Sequence, residues 1–347
     1  MASCLLTNLI NIEYLTGFQS SNAILLKTKT KNYLFTDGRY LEKAQKLALL
    51  RHARLGNFDV LDMSHEFKNT LQKLIKKHRI KSLEFEGDNL TVNQLKRFKS
   101  LTPGLKWEDG AHEVWDQRAH KDPIEIRKLK KSQDINEQIF YAIKSKLKTG
   151  VSELEISHMV KQLCPRFGAD TISFEPIIAF GNHSSMPHHQ NTTRKLKKGD
   201  LVLIDMGVTY QRYASDMTRM VFTKTPTALQ EKVYNLVLTA QEAAIQVMKP
   251  RIKASKPDDT ARHCLGNYVE KFTHSLGHGI GMEVHEPPTL SSRSSQTLKT
   301  GMVVTSEPGI YLPGDFGVRI EDMILITANG HQNLTHVPKA INDCILR

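Results

Sequence analysis

Four acids and one histidine, spread over three separate stretches, are the residues of this chain that could carry chemistry together: Asp205, Asp216, His278, Glu307 and Glu321. Asp205 lies in the apolar run Asp200–Thr209 and Asp216 in the run Tyr213–Thr223, with a few polar or aromatic residues between them. Two short β-branched runs so joined predict an antiparallel hairpin. With its tip at Tyr210–Gln211, Asp205 faces Asp216 across the strands, about 5 Å apart at Cβ. A second hairpin is predicted from Gly301–Tyr311 and Val318–Thr327, turning through Pro313-Gly314-Asp315 and setting Glu307 opposite Glu321. Like charges that close in an apolar setting destabilise the fold unless something neutralises them. Carboxylates around two ions about 3.5–4 Å apart describe a two-metal hydrolytic centre. Oxygen ligands with a single imidazole and no cysteine nearby select Mn²⁺, with Co²⁺, Fe²⁺ or Zn²⁺ as substitutes. Taken singly, each acid is equally well a surface or capping residue; the pairing is what argues for metal.

The residues around these ligands resemble the pita-bread metallopeptidases, and among them the Xaa-Pro peptidases, prolidase and aminopeptidase P. The matching stretches are Leu203-Ile204-Asp205-Met206-Gly207, Tyr213-Ala214-Ser215-Asp216-Met217-Thr218-Arg219, His274-Ser275-Leu276-Gly277-His278-Gly279-Ile280-Gly281, Val284-His285-Glu286, Ser306-Glu307-Pro308-Gly309-Ile310-Tyr311 and Val318-Arg319-Ile320-Glu321-Asp322. The resemblance implies that Asp205 chelates one ion, that His278 and Glu307 hold the pair elsewhere, and that Asp216 and Glu321 bridge both. It also implies that Glu307 shuttles the proton of the attacking water. His188 and His285 would flank the bound peptide, with His285 stabilising the oxygen of the tetrahedral intermediate. Arg319 would hold a bridging carboxylate, contact substrate, or serve as a plain salt-bridge partner. Tyr213 would support its neighbour Asp216. His274 reads as a structural residue, and His183 and His189 as loop residues.

The elements that must position this set follow from periodicity. Strand-like Ser3–Thr7, Ala23–Lys27, Tyr33–Thr36 and Leu83–Glu86 alternate with helical patterns. One helix opens near Asp37 with Leu41, Ala44 and Leu47 on a face. A second starts at Asp62 or Ser64, and a third covers Thr91–Leu101. Asn8–Phe18 reads as a lead into a loop and Trp115–Pro123 as a linker. Beyond it come helices over Ile124–Lys148, from Ser152 to about Cys164, and over Thr227–Met248. The fold class is α/β (α+β): an N-terminal α/β domain over 1–118 and a catalytic domain over 119–347. The first half resembles the creatinase-type domain of the same peptidases through Tyr14-Leu15-Thr16-Gly17-Phe18 and Thr36-Asp37-Gly38-Arg39-Tyr40. The chain opens almost on its first strand, without the helix that precedes it in those relatives.

Composition narrows the partners. The net charge of +12 is spread evenly, with 19 basic against 13 acidic residues in 1–120 and 29 against 23 in the remainder. That is no concentrated stripe for nucleic acid. Four distant cysteines point to a reducing, cytoplasmic setting rather than a disulfide framework. No apolar run reaches the roughly 20 residues of a membrane span, and the opening residues lack a secretory leader. The expectation is a cytoplasmic, homodimeric Xaa-Pro dipeptidase or aminopeptidase acting on short peptides with proline second. Methionine aminopeptidase and a non-catalytic pita-bread binding module are the alternatives. Creatine hydrolysis falls behind them, because that branch does not keep the five ligands.

Overall fold

A computed structural model describes residues 3–50, 53–64, 66–110 and 113–346. The chain divides into two compact units, Met1–Arg118 and Ala119–Arg347. In the first, the strands are β1 (Cys4–Leu6), β2 (Ala23–Lys27), β3 (Asn32–Thr36), β4 (Phe58–Asp62), β5 (Ser82–Phe85) and β6 (Lys106–Asp109). They form one mixed sheet in the order β4-β3-β2-β1-β5-β6. The helices are α1 (Leu9–Thr16), α2 (Leu41–Leu50), α3 (Phe67–Lys77), α4 (Val92–Leu101) and α5 (Glu113–Ala119). Leu5, Leu26 and Phe35 of the sheet pack with Leu71 and Leu74 of α3 and Phe98 of α4.

Several local expectations change here. Asn8–Phe18 is not a lead-in but helix α1. The Asn8 side chain accepts from the Ile10 and Asn11 amides, and Gly17 closes the helix at φ 74°. Asp37 does not cap α2; its carboxylate accepts from the amide and guanidinium of Arg39 in a local turn. The residues before α3 make strand β4, so that helix begins later, at Phe67. The Trp115–Pro123 segment is mostly helix α5, and Asp122 with Glu125 makes the capping box that opens the next helix.

In the second unit α6 (Pro123–Lys144) and α7 (Glu153–Phe167) precede the short strands β7 (Thr171–Ile172) and β8 (Ile177–Phe180). Then come β9 (Leu201–Met206), β10 (Val208–Tyr210), β11 (Tyr213–Ala214), β12 (Met217–Phe222), α8 (Ala228–Gln246) and α9 (Ser255–Leu265). The last strands are β13 (Gly277–Gly279), β14 (Glu286–Leu290), β15 (Val303–Ser306), β16 (Gly309–Leu312), β17 (Phe316–Arg319), β18 (Asp322–Thr327) and β19 (Gly330–Asn333). Helix α9 carries no expectation above; its sequence, SKPDDTARHCL, holds few apolar residues. Strands β12-β9-β8 make one sheet and β14-β13-β15-β18-β19 another. Alternation along β9 feeds two cores. Val202, Ile204 and Met206 pack with Ile139, Ile143, Ile156 and Val160 of α6 and α7. Leu201 and Leu203 face Val237, Ala240 and Ala261 of α8 and α9, together with Val304 and Ile324 of the second sheet. None of the helices among the described residues is long and apolar enough to cross a membrane.

The first ligand hairpin turns one residue later than the expected tip. Gln211 and Arg212 both take the left-handed conformation, at φ 46° and 72°, which fits a two-residue type I′ turn. Tyr210 therefore pairs with Tyr213, and Asp205 pairs with Thr218 rather than with Asp216. Period-two alternation leaves Asp216 on the same face as Thr218, diagonal to Asp205. The second hairpin keeps the expected register, Gly309 opposite Arg319 and Ser306 opposite Asp322. It is split, however, with β15–β18 in the five-stranded sheet and β16–β17 a separate ribbon. Glu307 and Glu321 lie at the split. Where the first hairpin passes from β9 to β10, a Cβ on Gly207 would overlap the Ser215 carbonyl oxygen and the Ser173 hydroxyl. Gly207→Ala is expected to destabilise by about 1–3 kcal/mol, read as a Tm fall of several degrees; an unchanged Tm would contradict this packing.

Candidate active site

The ligand candidates converge because strand ends from both sheets meet at one cavity of about 670 Å³, lined among others by His188, Asp205, Asp216, His274, His278, His285, Glu307, Arg319 and Glu321. Each expected site residue therefore reaches the same cleft. Oxygen or nitrogen atoms of Asp216, His278 and Glu321 lie within 4.8 Å of one another, a group able to hold an ion. The His278 ring nitrogen Nε2 is 3.6 Å from Asp216 Oδ2 and 3.4 Å from Glu307 Oε1. Its Nδ1 lies 3.1 Å from the Gly279 carbonyl oxygen and donates to it, so Nε2 is the atom left for a metal.

Backbone contacts fix these side chains. The Glu307 amide donates to the Leu276 carbonyl, which ties the β15 end to the His278 strand. The Thr305 hydroxyl accepts from the His278 amide and donates to Glu307 Oε1. Gly277 makes this approach possible, since a Cβ there would overlap the Thr305 carbonyl oxygen. Behind Glu321, the buried Arg219 donates to the Glu321 and Thr218 carbonyls at 2.6 and 3.0 Å and to Asp322 Oδ1 at 2.7 Å. Lys339 takes the other Asp322 oxygen at 2.6 Å. Burial alone would raise the Asp322 pKa, but Arg219 and Lys339 outweigh it and hold the group at about 2.

Arg319 is spent inside the protein. Nη2 donates to Asp205 Oδ2 at 2.5 Å, Nη1 to the Tyr311 hydroxyl at 2.8 Å and the Pro187 carbonyl at 3.3 Å, and Nε to the Thr218 hydroxyl at 3.1 Å. Its ion-pair partner is thus Asp205 and not Asp216 or Glu321, the carboxylates expected to bridge. Thr218 in turn donates to Glu321 Oε2 at 2.7 Å. Sequence reasoning passed over Thr218, although two residues after Asp216 on a strand is the same face. It also passed over Tyr311, whose hydroxyl meets both Arg319 and His274 Nε2, the latter at 2.9 Å. His274, read as structural, stands in the cavity wall. The Tyr213 hydroxyl donates to Glu125 at 2.8 Å, supporting the hairpin rather than the ligands directly. His285 stacks edge-on to His278 with ring centres 4.3 Å apart, and the buried Glu286 beside it pairs with Lys121 at 3.0 Å.

The electrostatics are those of a site built for cations. Asp205 Oδ1, Asp216 Oδ1 and Glu321 Oε1 are buried and have no hydrogen-bond donor. Such atoms cost heavily unless an ion takes the vacant lone pairs. Burial, followed by repulsion from neighbouring carboxylates, drives the pKa values of Asp216 and Glu321 well above the usual carboxylate range. Burial raises Asp205 as well, with Arg319 pulling the other way. At Glu307 burial is outweighed by the His278 hydrogen bond and charge, so its pKa is lowered. Burial would lower His278, yet Glu307 and Asp216 push it up to about 9. The residues present therefore fit a pair of divalent ions.

Buried acids, one imidazole whose Nε2 is turned toward them and three further histidines in one cleft make a centre suited to metal-dependent hydrolysis. The chain belongs to the metallopeptidase family M24: that family's model matches residues 127–328, and the Creatinase/Prolidase N-terminal domain matches residues 1–120. The second unit thus has the pita-bread catalytic fold that the sequence resemblance implied. The chain is 34% identical over 339 residues to the uncharacterized peptidase YqhT of Bacillus subtilis, covering 97% of this chain and 94% of that one. Its structure superposes on an Xaa-Pro dipeptidase from Bacillus anthracis with a TM-score of 0.92 at 34% identity, covering 99% and 95% of the two chains. It matches an X-Pro aminopeptidase from Thermotoga maritima at 0.86 and 31%, covering 97% of each chain.

An ion taking His278 must displace the proton of a group whose pKa is pushed up to about 9, and the raised pKa values of Asp216 and Glu321 add to the competition between ion and proton. Calorimetric titration with Co²⁺ should therefore show net proton release near neutral pH. The affinity should weaken as pH falls from 8 to 6, since more protons then compete. Binding heats independent of the buffer's ionisation enthalpy would contradict these shifts.

Proposed function

We propose that this chain is a dinuclear metallo-exopeptidase that hydrolyses the bond between an N-terminal residue and proline. The observation that carries the reading is the three buried, donor-less carboxylate oxygens of Asp205, Asp216 and Glu321 at a cleft also lined by His188 and His285. The metal ligands in this reading are Asp205, Asp216, His278, Glu307 and Glu321, and the preferred ion is Mn²⁺. When bound, the ions polarise the scissile carbonyl and acidify a water. Glu307 would accept a proton from the attacking water and return it to the prolyl nitrogen, which leaves only once protonated. His285 donates to the carbonyl oxygen as negative charge gathers on it, and His188 holds the peptide from the other wall. Arg319 keeps Asp205 oriented through the charge-assisted bond it makes at Nη2. Phe174, Ile177, Pro187, Val284 and Pro287 give the cleft apolar surface on which a pyrrolidine ring can pack. Likeness to an Xaa-Pro dipeptidase and an X-Pro aminopeptidase supports this choice of substrate without separating the two. The setting proposed is a cytoplasmic homodimer.

With Mn²⁺ loaded, Ala-Pro, Ala-Pro-Ala and Met-Ala-Ala should be compared. Cleavage of either proline peptide but not the last supports the reading. Cleavage of Met-Ala-Ala alone would make the chain a methionine aminopeptidase, and inertness toward all three would favour a binding module. Glu307→Ala should lower kcat by about 10²–10⁴-fold while the circular dichroism spectrum stays that of the wild type; undiminished turnover would remove its assigned role.

A further inference from the structure

Glu153 is the first residue of α7 and is wholly buried, yet it lies outside the metal-ligand set. Its carboxylate accepts five hydrogen bonds. Oε1 takes the Phe180 amide at 2.9 Å and His183 Nδ1 at 2.8 Å. Oε2 takes His189 Nε2 at 2.9 Å, the Thr192 amide at 2.9 Å and the Thr192 hydroxyl at 2.7 Å. Every one of these donors belongs to the segment from Phe180 to Thr192, which carries His188. Backbone bonds dock the far end of the segment on the same helix start: the Glu153 and Leu154 amides donate to the Arg194 and Thr192 carbonyls. At its middle the segment is held from the catalytic side. Arg319 Nη1 donates to the Pro187 carbonyl, and the Gly317 amide donates to the Ser184 hydroxyl.

We propose that Glu153 is a positioning residue for catalysis: it clamps both ends of the His188 segment so that the His188 imidazole is presented to the peptide in the cleft. The inference rests on the role given to His188 above. A carboxylate at a helix start suits the task, because the positive end of the helix favours the charge. Burial would raise its pKa, and the hydrogen bonds of His189, Phe180, Thr192 and His183 reverse the sign and keep it ionised. Glu153, His183 and His189 also have the spacing of a metal site. Both carboxylate oxygens are already saturated with donors, however, and an ion there would have to break at least the two histidine bonds and deprotonate both ligand nitrogens. The hydrogen-bonded state fixes the tautomers: His183 is protonated at Nδ1 and His189 at Nε2. The segment is then held at both ends by Glu153 and at its middle by Arg319 and Gly317, with His188 between the Pro187 and His189 anchors. Displacing a substrate-contacting group by about 1 Å costs on the order of 10²-fold in rate.

The test is a double-mutant cycle on the metal-loaded enzyme with the proline peptide that the wild type turns over. Glu153→Gln replaces one acceptor oxygen by a donor and is expected to lower kcat by about 10²-fold with KM changed far less. Combined with His188→Ala it should be no worse than His188→Ala alone; effects that multiply would make Glu153 a general structural residue and overturn the proposal. Should Glu153→Gln not fold, His189 reads the same clamp. His189→Gln, which keeps a donor near the Nε2 position, should retain most activity and His189→Ala should lose it, and equal effects of the two would overturn the proposal. A third equivalent of metal that disappears in His189→Gln would make the cluster an ion site instead. Imidazole NMR of the Zn²⁺-loaded protein gives a readout independent of turnover. It should show the two stated tautomers and a shifted His188 signal in Glu153→Gln, and other tautomers or an unmoved signal would refute the clamp. A wild type inert toward all proline peptides would defeat the functional reading, leaving the spectra to decide the clamp by themselves.

Discussion

Like charges buried together govern this molecule. Asp205, Asp216, Glu307 and Glu321 share one cleft, three of them with an oxygen that no protein donor satisfies. A fold does not place acids this way without a cation to answer them. Arg319 answers only Asp205 directly, and His278 lies against Asp216 and Glu307. The remaining deficit marks where divalent ions belong. It also shows why the surroundings are rigid. Arg219 and Lys339 neutralise Asp322 and lock the backbone of Glu321, while Thr305 bridges the strands of His278 and Glu307.

The two-sheet architecture serves that constraint. Strand β9 and the residue just before β12 bring Asp205 and Asp216 from one sheet, and β13, β15 and β18 bring His278, Glu307 and Glu321 from the other or from its ends. Helices α6 and α7 cover one core and α8 and α9 the other. Hydrophobic packing thus holds in place a cluster that would repel itself apart. Glycines with no space for a Cβ, Gly207 and Gly277, sit where backbone from neighbouring strands must come close beside a ligand.

Much of this was legible in the sequence, and the exceptions have physical causes. The second hairpin's register followed from its turn, because Gly314 at φ 78° lies midway between paired residues. The first hairpin was misplaced by one residue at its tip, since Gln211 and Arg212 take left-handed conformations that side chains of their kind rarely adopt. Tertiary context pays that cost, and no local pattern announces it. Helix α1 was missed because five of its eight residues are buried and two of those, Asn11 and Thr16, are polar, so sequence polarity does not follow the helical period. Helix α9 was missed for the opposite reason: its sequence is mostly polar, and it joins the core through few apolar side chains, Ala261 and Leu265 among them. His183 and His189 looked like loop residues; only the fold shows that both close on a carboxylate thirty or more residues earlier. Composition could not show this, because a buried hydrogen-bonded carboxylate and a solvated helix-start glutamate have the same sequence signature.

The central claim is that the five side chains meet around a pair of divalent ions. Anomalous diffraction from crystals of the protein grown with Mn²⁺ tests it most directly. The account predicts two peaks, about 3.5–4 Å apart, with Asp216 and Glu321 between them and Asp205, His278 and Glu307 completing the coordination. Crystals in which those carboxylates face only water or one another, with no anomalous density among them, would contradict it.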